Sequence, residues 1–457
     1  MKLLTMTILL CACITASAQD GVKAVPTDAK AVKYRRSSIY MMMLDDHGLV
    51  NADLIKNTFV GMPIPEKFND HTLKNRSFNP ASITLTEEEK KLAAKKQSKM
   101  GAFAKGLANS ATGGLVDTTD TKYLPAKYDK YFNEQKIAKD LVAKWFNRSE
   151  KGGFNMDLIG QRGSYDASAL DINVAKSSAR GLSVVSDAGE ELIGNTFVVV
   201  TRFNYVSMES ITAAAQKLGN FAMALAAASG NTVSAEVKQA TDSIAKQITG
   251  YAVQSTTHLY KLVWNDSIEA VFYQNYWTDD KTFDQAKKEA FDNSTIFSLE
   301  LIGDEKAHAS VLDSKLSNKT QDELVAKATV NAFDAVLAKL QRKYEIFRTK
   351  TPLYSGEPIT AKIGLKEGLE PGDKFEVLEQ RQDPKTGKTT YEKVGKIKVE
   401  RGQIWDNRFG ADEEPAPKTA ADGLTVVPGT TPTTKIDRTT FSGPKGLYTG
   451  MLIRQIR

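Results

Sequence analysis

The sequence predicts an α+β protein, with a central α/β domain that carries an inserted helical hairpin and a small all-β barrel-like C-terminal domain. Three observations predict this class. The β-branched run TFVVVTRFNYV, which begins at Thr196, indicates a buried strand. Apolar residues at helical spacing after Thr320 indicate a long helix. Short β-rich segments separated by glycine turns follow that helix to the end of the chain.

The composition changes along the chain divide it into four parts. These are a signal peptide at 1–18, an N-terminal mixed region with two helices at 19–153, an α/β domain at 154–346 with its helical hairpin insert at 208–250, and a β-rich C-terminal module at 347–457 with a disordered insert at 410–436. The insert is assigned as disordered because it is rich in Pro, Thr and Ala.

Two helices are predicted in the N-terminal region. Thr86 and Glu89 have the spacing of a capping box, and the following segment EEEKKLAAKKQSKMGAFAKGLA reads as a helix. A second helix is predicted from about Lys127 to Asn147, because its apolar residues fall on one side. The glycine pair after Asn147 ends it.

The α/β domain is predicted to begin with a strand at FNMDLIGQRG and a helix at SYDASALDINVAKSSARG, before the strand at Thr196. The next two helices form the inserted hairpin, and the second of them extends through Ile248 and Tyr251. THLYKLVW and SIEAVFYQNYW then read as two strands joined by a turn at Asn265–Asp266. A second capping box, formed by Thr320 and Glu323, begins the long helix.

The C-terminal module is predicted from turn chemistry. The segment DPKTG reads as a hairpin loop, and GLYTGMLIRQIR supplies a terminal strand that would close a small barrel.

The first residues indicate export. A positive Lys2, an apolar run that is too short to cross a bilayer, and the small residues Ala16-Ser17-Ala18 are typical of a cleaved leader, with Gln19 as the first mature residue. An alternative is lipidation at Cys13, which would tether the protein to a membrane. The chain has 2 Cys, both within this segment, so either processing leaves no disulfide.

The charge pattern indicates which classes of binding partner to expect. The formal net charge is +6 and the two signs are mixed along the chain, which favours neither nucleic acid nor an acidic substrate. No segment after the leader has the apolar length of a transmembrane helix. We therefore expect protein partners, while a peripheral or lipid-anchored membrane attachment and a homo-oligomer stay open.

Candidate metal-binding residues are few. There are 4 His in the chain (His47, His71, His258 and His308), and none has the local spacing of a zinc site. The DDHG segment around His47 could contribute to a metal site, but a polar turn is the simpler interpretation. His258 shares a face with Tyr260, Leu262 and Trp264, which indicates a hydrogen-bonded structural histidine. We predict no metal and no cofactor.

Other segments suggest chemistry only weakly. In DLIGQRGS, Gly160 and Gly163 stand between a predicted strand and a predicted helix, where a loop could hold phosphate. The lysine of a P-loop and the third glycine of a dinucleotide fingerprint are absent, so a βα turn without a ligand is the simpler interpretation. The acidic DDKTFD is better explained as a helix N-terminus than as a calcium loop. Carboxylate pairs such as Glu190–Glu191 and Glu413–Glu414 cannot be given acid and base roles without geometry. No catalytic residue is assigned.

The C-terminal module resembles the β module of the flagellar periplasmic protein FlgT. A phrase of spaced glycines followed by G-D-x-F-x-V and then by a G-x-I-x-V strand carries the resemblance. The matching residues are Gly364, Gly368, Gly372, Asp373, Phe375, Val377, Gly395, Ile397 and Val399.

The preceding domain resembles the envelope α/β domains of the CsgG and TolB N-terminal type, through AGEELIGNTFVVVTRF, the later hairpin and the long helix. In the CsgG type the inserted segments are membrane strands, whereas residues 208–250 predict helices. The resemblance therefore implies a periplasmic or outer-membrane-associated protein that binds other proteins, rather than a channel. The chain also resembles secreted Bacteroidota proteins in general character.

From these observations we expect a non-enzymatic, exported cell-envelope protein that acts as a scaffold or assembly component. The alternative is a secreted hydrolase or carbohydrate-binding protein that uses the aromatic hairpin at 258–277, where Trp and Tyr rings could stack on a sugar. An exposed platform of rings beside two carboxylates would favour the alternative, and buried rings would argue against it.

Overall fold

The fold was analysed in a computed structural model, which describes residues 35–45, 51–104, 123–166, 192–207, 248–314, 319–382, 389–411 and 436–456. The predicted leader with Cys11 and Cys13, most of the predicted 208–250 insert, the DPKTG loop and nearly all of the 410–436 insert lie outside these residues. The SYDASALDINVAKSSARG segment lies outside them too, except for its first three residues, which end the helix Asp157–Asp166.

The first sheet has the strand order β2-β1-β4-β5-β6, and a short β3 also pairs with β1. Its strands are Ser38–Leu44 (β1), Asn69–Asp70 (β2), Ser77–Phe78 (β3), Thr196–Ser207 (β4), Ile248–Leu262 (β5) and Leu299–Ser314 (β6). Strands β2, β3 and β4 each pair with β1 in parallel, whereas β4, β5 and β6 form an antiparallel ribbon. Residues of the predicted N-terminal region and α/β domain thus share one sheet.

Eight α-helices are described. They are Ala52–Gly61 (α1), Glu87–Ala104 (α2), Leu124–Glu134 (α3), Ile137–Trp145 (α4), Asp157–Asp166 (α5), Asp266–Val271 (α6), Gln285–Asp292 (α7) and Gln321–Lys343 (α8). A π-helical segment, Phe272–Tyr276, directly continues α6.

Both faces of the first sheet are buried. Alternate residues of β1 point to opposite sides, so Tyr40 and Met42 join one core while Ile39 and Met41 join the other. The first core packs on α3, α4 and the π-helical segment, and the second packs on α1 and α8. Burial on both faces explains why β1 is a continuous apolar run.

The second sheet has the order β7-β13-β10-β11-β12-β9-β8 and curls into a half-barrel. Its strands are Thr351–Pro352 (β7), Ser355–Gly356 (β8), Ile359–Ala361 (β9), Lys374–Gln382 (β10), Thr389–Val399 (β11), Thr439–Ser442 (β12) and Leu452–Ile456 (β13). The helices and two sheets together confirm the α+β class.

The second sheet curls because its two edge strands lie close together. The two edge strands, β7 and β8, are neighbours in the chain. Between them, Leu353 N donates to Met451 O at 2.7 Å and Tyr354 N donates to Thr360 O at 2.8 Å. One short segment therefore touches both edges of the sheet, which surrounds a single core that includes Phe375 and Phe441.

Several predicted elements are confirmed. Both capping boxes form, since Thr86 Oγ1 accepts from Glu89 N at 3.2 Å and Thr320 Oγ1 accepts from Glu323 N at the same distance. The strand at Thr196 and the long helix after Thr320 are present, and the terminal segment supplies β13. Strands β10 and β11 pair across the predicted hairpin loop.

Three predictions at this level were wrong. The helix expected from Lys127 to Asn147 is two helices, because Lys136 has a left-handed backbone between α3 and α4. FNMDLIGQRG was expected to be a strand, but Asp157 begins α5, so its three spaced apolar residues do not mark a strand. Ile248 and Tyr251 lie in β5 rather than in a helix.

The predicted hairpin turn at Asn265–Asp266 is also wrong. Asn265 Oδ1 accepts from Ser267 N and Ile268 N, both at 3.1 Å, and so caps the N-terminus of α6. Asn and Asp favour turns and helix caps alike, and the sequence pattern did not separate the two. Phe272 and Tyr276 are buried at helical spacing on the segment expected to be a strand.

Candidate functional site at the junction of the two sheets

His71 is a structural residue rather than an open ligand. Its ring stacks on Trp145 with centroids 4.8 Å apart, Nε2 lies 2.9 Å from Leu141 O, and Nδ1 lies 2.9 Å from Arg162 Nη1. Because arginine can only donate, Nδ1 accepts and Nε2 donates to the carbonyl. Burial, with the charge of Arg162 next, holds the pKa of His71 well below its usual value. The neutral ring therefore ties three segments together.

His258 is buried on β5, where its register partner on β6 is Asp304. Burial lowers the pKa of His258 to about 4, although the Asp304 carboxylate opposes the shift. Its Nδ1 makes no hydrogen bond with any residue in the described ranges, and neither does the hydroxyl of Tyr128, whose ring is 5.0 Å away. The predicted face is correct, and of the hydrogen bonds expected for a structural histidine, Nδ1 makes none with the described residues.

The other candidate residues either have structural roles or lie outside the described residues. Gly160 lies within α5, so the βα turn predicted at DLIGQRGS is a helix instead. Asp284 caps α7 by accepting from Ala286 N at 2.9 Å, which confirms the helix N-terminus predicted at DDKTFD. Outside the described residues are the side chain of His308 and the whole of His47, Glu190–Glu191 and Glu413–Glu414. Within the described ranges, no three His, Cys, Asp or Glu side chains form a metal-binding group.

The aromatic residues of 258–277 form packing contacts. Tyr260 is fully buried, and its hydroxyl is directed to Pro125 O at 3.4 Å. Trp264, Tyr273 and Trp277 surround Phe146 with ring centroids 5.7–5.9 Å apart. The rings of these residues are therefore occupied with one another around Phe146, the residue that follows α4. They do not form the two-stranded platform that the carbohydrate-binding alternative supposes.

Helix α8 is the element that joins the two sheets. Its apolar side, with Phe333 and Leu337, packs into the second core of the first sheet. Another side contacts the half-barrel, where Ala338 lies against Gly368 so closely that a Cβ on the glycine would be 3.2 Å from the alanine Cβ. Gly368 also has a φ of 69°, which favours glycine. The helix is thus buried between two separate sheets.

A polar cluster occupies the middle of this junction. Asp334 of α8 is 7% exposed, and Lys366 from the half-barrel places its Nζ 3.8 Å from Asp334 Oδ2. That distance is an ion pair but too long for a hydrogen bond, and no described residue donates one to Oδ2. Burial raises the pKa of Asp334 to about 6, while Lys366 and Lys67 act in the opposite direction.

Two further side chains on α8 have unsatisfied atoms at buried positions. Asn331 Oδ1 and Gln341 Nε2 find no hydrogen-bond partner within the described residues. Gln341 does accept from Lys67 Nζ at 2.9 Å, and burial lowers the pKa of that lysine. A buried polar atom without a partner costs about 1–3 kcal/mol. Helix α8 therefore carries several buried polar atoms that lack a hydrogen bond within the described residues.

Arginine contacts hold the C-terminal end of α8. Arg342 donates to Gly368 O and lies 3.1 Å from Asp373 Oδ2, both in the half-barrel. Arg348 donates to Gln341 O and Arg342 O, at 3.2 and 3.1 Å, and so covers the last carbonyls of the helix. The same guanidinium reaches Gln455 O on β13 at 3.5 Å.

An open cleft of about 480 Å³ lies beside these contacts. Its lining consists of Lys343, Glu345, Arg348, Glu376, Arg454 and Ile456. Arg454 is paired with the buried Glu376, with Nη2 and Oε1 2.6 Å apart, and Ile346 next to the cleft is 46% exposed. A cleft with charges of both signs and an exposed apolar residue suits a polar peptide surface better than a small apolar ligand.

This junction was missed in the sequence, although a signal for it was present. Asn331, Asp334 and Gln341 recur at helical spacing and interrupt the apolar pattern of α8. Such a stripe on an exposed helix is ordinarily solvated, so the pattern alone did not indicate burial against a second sheet.

Among the described residues, no helix has both the length and the apolar character required to cross a bilayer. The chain matches no protein-family model and none of the curated proteins.

Proposed function

We propose that this protein is a non-enzymatic, exported cell-envelope protein that works as a scaffold or assembly component, in the periplasm or at the outer membrane. Its partners are other proteins. The junction carries this proposal: α8 packs on both sheets, and the cleft at its C-terminal end is lined by Lys343 and the segment that follows α8 on one side and by β10 and β13 of the half-barrel on the other. A partner that binds there contacts both parts of the molecule together.

Two further surfaces belong to the proposal. The 208–250 insert joins β4 to β5, and the strand edges of the 347–457 module would provide additional contacts. Resemblance to envelope domains of the CsgG and TolB type and to the FlgT module supports this assignment. The leader, with cleavage before Gln19 or lipidation at Cys13, supports export.

Site-specific photo-crosslinking in cells tests binding at the cleft. A photoreactive residue at Ile346, beside the cleft, should give a discrete adduct with an envelope protein, and the adduct should be lost when Arg454→Glu reverses a cleft charge. The matched control is Leu92 on α2, which is 61% exposed and lies outside the junction. Equal adducts from both positions, or none from Ile346, would contradict the proposal.

Mass spectrometry of the mature protein tests the proposed cellular location separately. A chain that begins at Gln19 means a released periplasmic protein, and an acylated Cys13 means a tethered one. A full-length chain that retains an unmodified Met1 in fractionated cells would contradict export.

A further inference from the structure

The polar cluster around Asp334 lies between two parts of the molecule that have separate cores. Asp334 belongs to α8, Lys67 comes from the segment before β2, and Lys366 and Glu367 come from the half-barrel. These are the charged groups that face the Asp334 carboxyl from the elements packed against it. One carboxyl group thus lies at the meeting point of three segments, at a depth where a charge is poorly solvated.

The cluster is incompletely compensated. The Lys366 ammonium is 3.8 Å from Asp334 Oδ2, and this oxygen receives no hydrogen bond within the described ranges. Glu367 adds a second negative charge nearby, but its carboxylate is turned to Gly364 N and Asn407 Nδ2, each at 2.8 Å. The ionised carboxylate is therefore the member of the cluster that contact with the half-barrel stabilises least.

We propose that the contact between α8 and the half-barrel is pH-sensitive: protonation of Asp334 tightens it, and ionisation of Asp334 loosens it. The sign follows from burial. Separation of the two parts would return the carboxyl to water, where the charged form is well solvated, whereas contact removes that solvation. Acid therefore favours the closed junction, and this inference holds whether or not the proposed scaffold function is correct.

The size of the effect follows from proton linkage. Asp334 titrates near pH 6 in the closed junction, and an exposed aspartate has a pKa of 3.8. Between pH 7.5 and pH 5, the equilibrium between closed and open junction should shift about tenfold toward closed. Burial also lowers the pKa of Lys67 from the usual lysine value.

Thiol protection measures this equilibrium even when the open form is rare. Replacing Cys11 and Cys13 by serine leaves the full chain without cysteine. Ala338→Cys then places one thiol on α8 at its contact with Gly368. Labelling by a pyridyl disulfide is compared with the denatured chain at the same pH, which removes the intrinsic pH dependence of the thiol. The matched control is Ala328→Cys, a buried position on the same helix in the core of the first sheet.

We expect protection of Cys at 338 to be about tenfold greater at pH 5 than at pH 7.5. Asp334→Asn should abolish this ratio, because its side chain cannot ionise. Asp292→Asn, which removes a carboxylate paired with Arg148 away from the junction, should keep it. Protection of Cys at 328 should not change by the same ratio between pH 5 and pH 7.5, because that thiol becomes accessible only when the core of the first sheet opens.

A second variant keeps the test decisive if Asp334→Asn changes folding. Lys366→Met removes the ammonium that favours ionised Asp334 and should increase the pH ratio at 338. The proposal is overturned if protection at 338 is independent of pH in the parent chain. It is equally overturned if the ratio survives in Asp334→Asn or falls in Lys366→Met.

Discussion

The two sheets bury their apolar residues in different ways. In the first sheet, β1 reads SIYMMML and every residue is buried, because helices cover both faces. In the half-barrel, β10 alternates Phe375, Glu376 and Val377, with the apolar residues directed to one interior core. A strand that is apolar at every position is buried when helices cover both faces of its sheet. An alternating strand buries its apolar side chains when the sheet curls around one core. Helix α8 is the layer that both sheets share.

The largest expected effect tests the core of the first sheet. Phe333 is fully buried on α8 and its ring is 5.5 Å from that of Phe59. Phe333→Ala should lower the free energy of unfolding by about 3–5 kcal/mol, since the cavity would lie in a packed layer. Urea unfolding measures this, with exposed Leu92→Ala expected to stay within about 0.5 kcal/mol. A loss below about 1 kcal/mol would mean that α8 is not part of this core.

A pH series tests the buried His258 of the same sheet. The folded pKa of His258, about 4, lies below the reference value of 6.5, so folding favours the neutral ring. Its stabilisation is present above pH 6.5 and is lost as the pH falls toward 4. The parent chain should therefore lose on the order of 3 kcal/mol relative to His258→Gln across that window. Urea unfolding at pH 7.5, 5 and 4 measures the difference, and parallel pH profiles would contradict it.

A glycine substitution tests closure of the half-barrel. A Cβ on Gly356 would lie 1.8 Å from the backbone oxygen of Leu447, which cannot move as a side chain could. Gly356→Ala should therefore lower stability by about 1–3 kcal/mol, through the second sheet alone. Gly61→Ala is the matched control, because its Cβ would meet nothing within 4 Å. Similar thermal midpoints for both variants would show that the edge at β8 is not closed as described.

The smallest expected effect concerns the helix that both sheets share. Thr320→Ala removes the capping box of α8 and should cost about 1 kcal/mol. Thr86→Ala removes the equivalent box on α2, which contacts α3 in the first sheet's layer of helices. If α8 stabilises both sheets, the Thr320 variant should lower the unfolding midpoint of both, and an effect confined to one sheet would separate them.

The sequence alone determined the elements whose signals are local. Side-chain caps identified the starts of α2 and α8, β-branched residues identified β4, and glycine turns with alternation identified the half-barrel strands. These signals work because the interactions involved span three or four residues, or the two faces of one strand.

Only the tertiary structure decided the rest. Asn265 could begin a turn or a helix, and the burial of Phe272 and Tyr276 on one side selected the helix. The polar stripe of α8 reads as solvated until the half-barrel is placed against Asp334. The stripe recurs at helical spacing, but that spacing does not indicate which distant segment covers it. The candidate site exists because one side of α8 faces the half-barrel. Only the tertiary structure, in which both sheets pack on this helix, shows that contact.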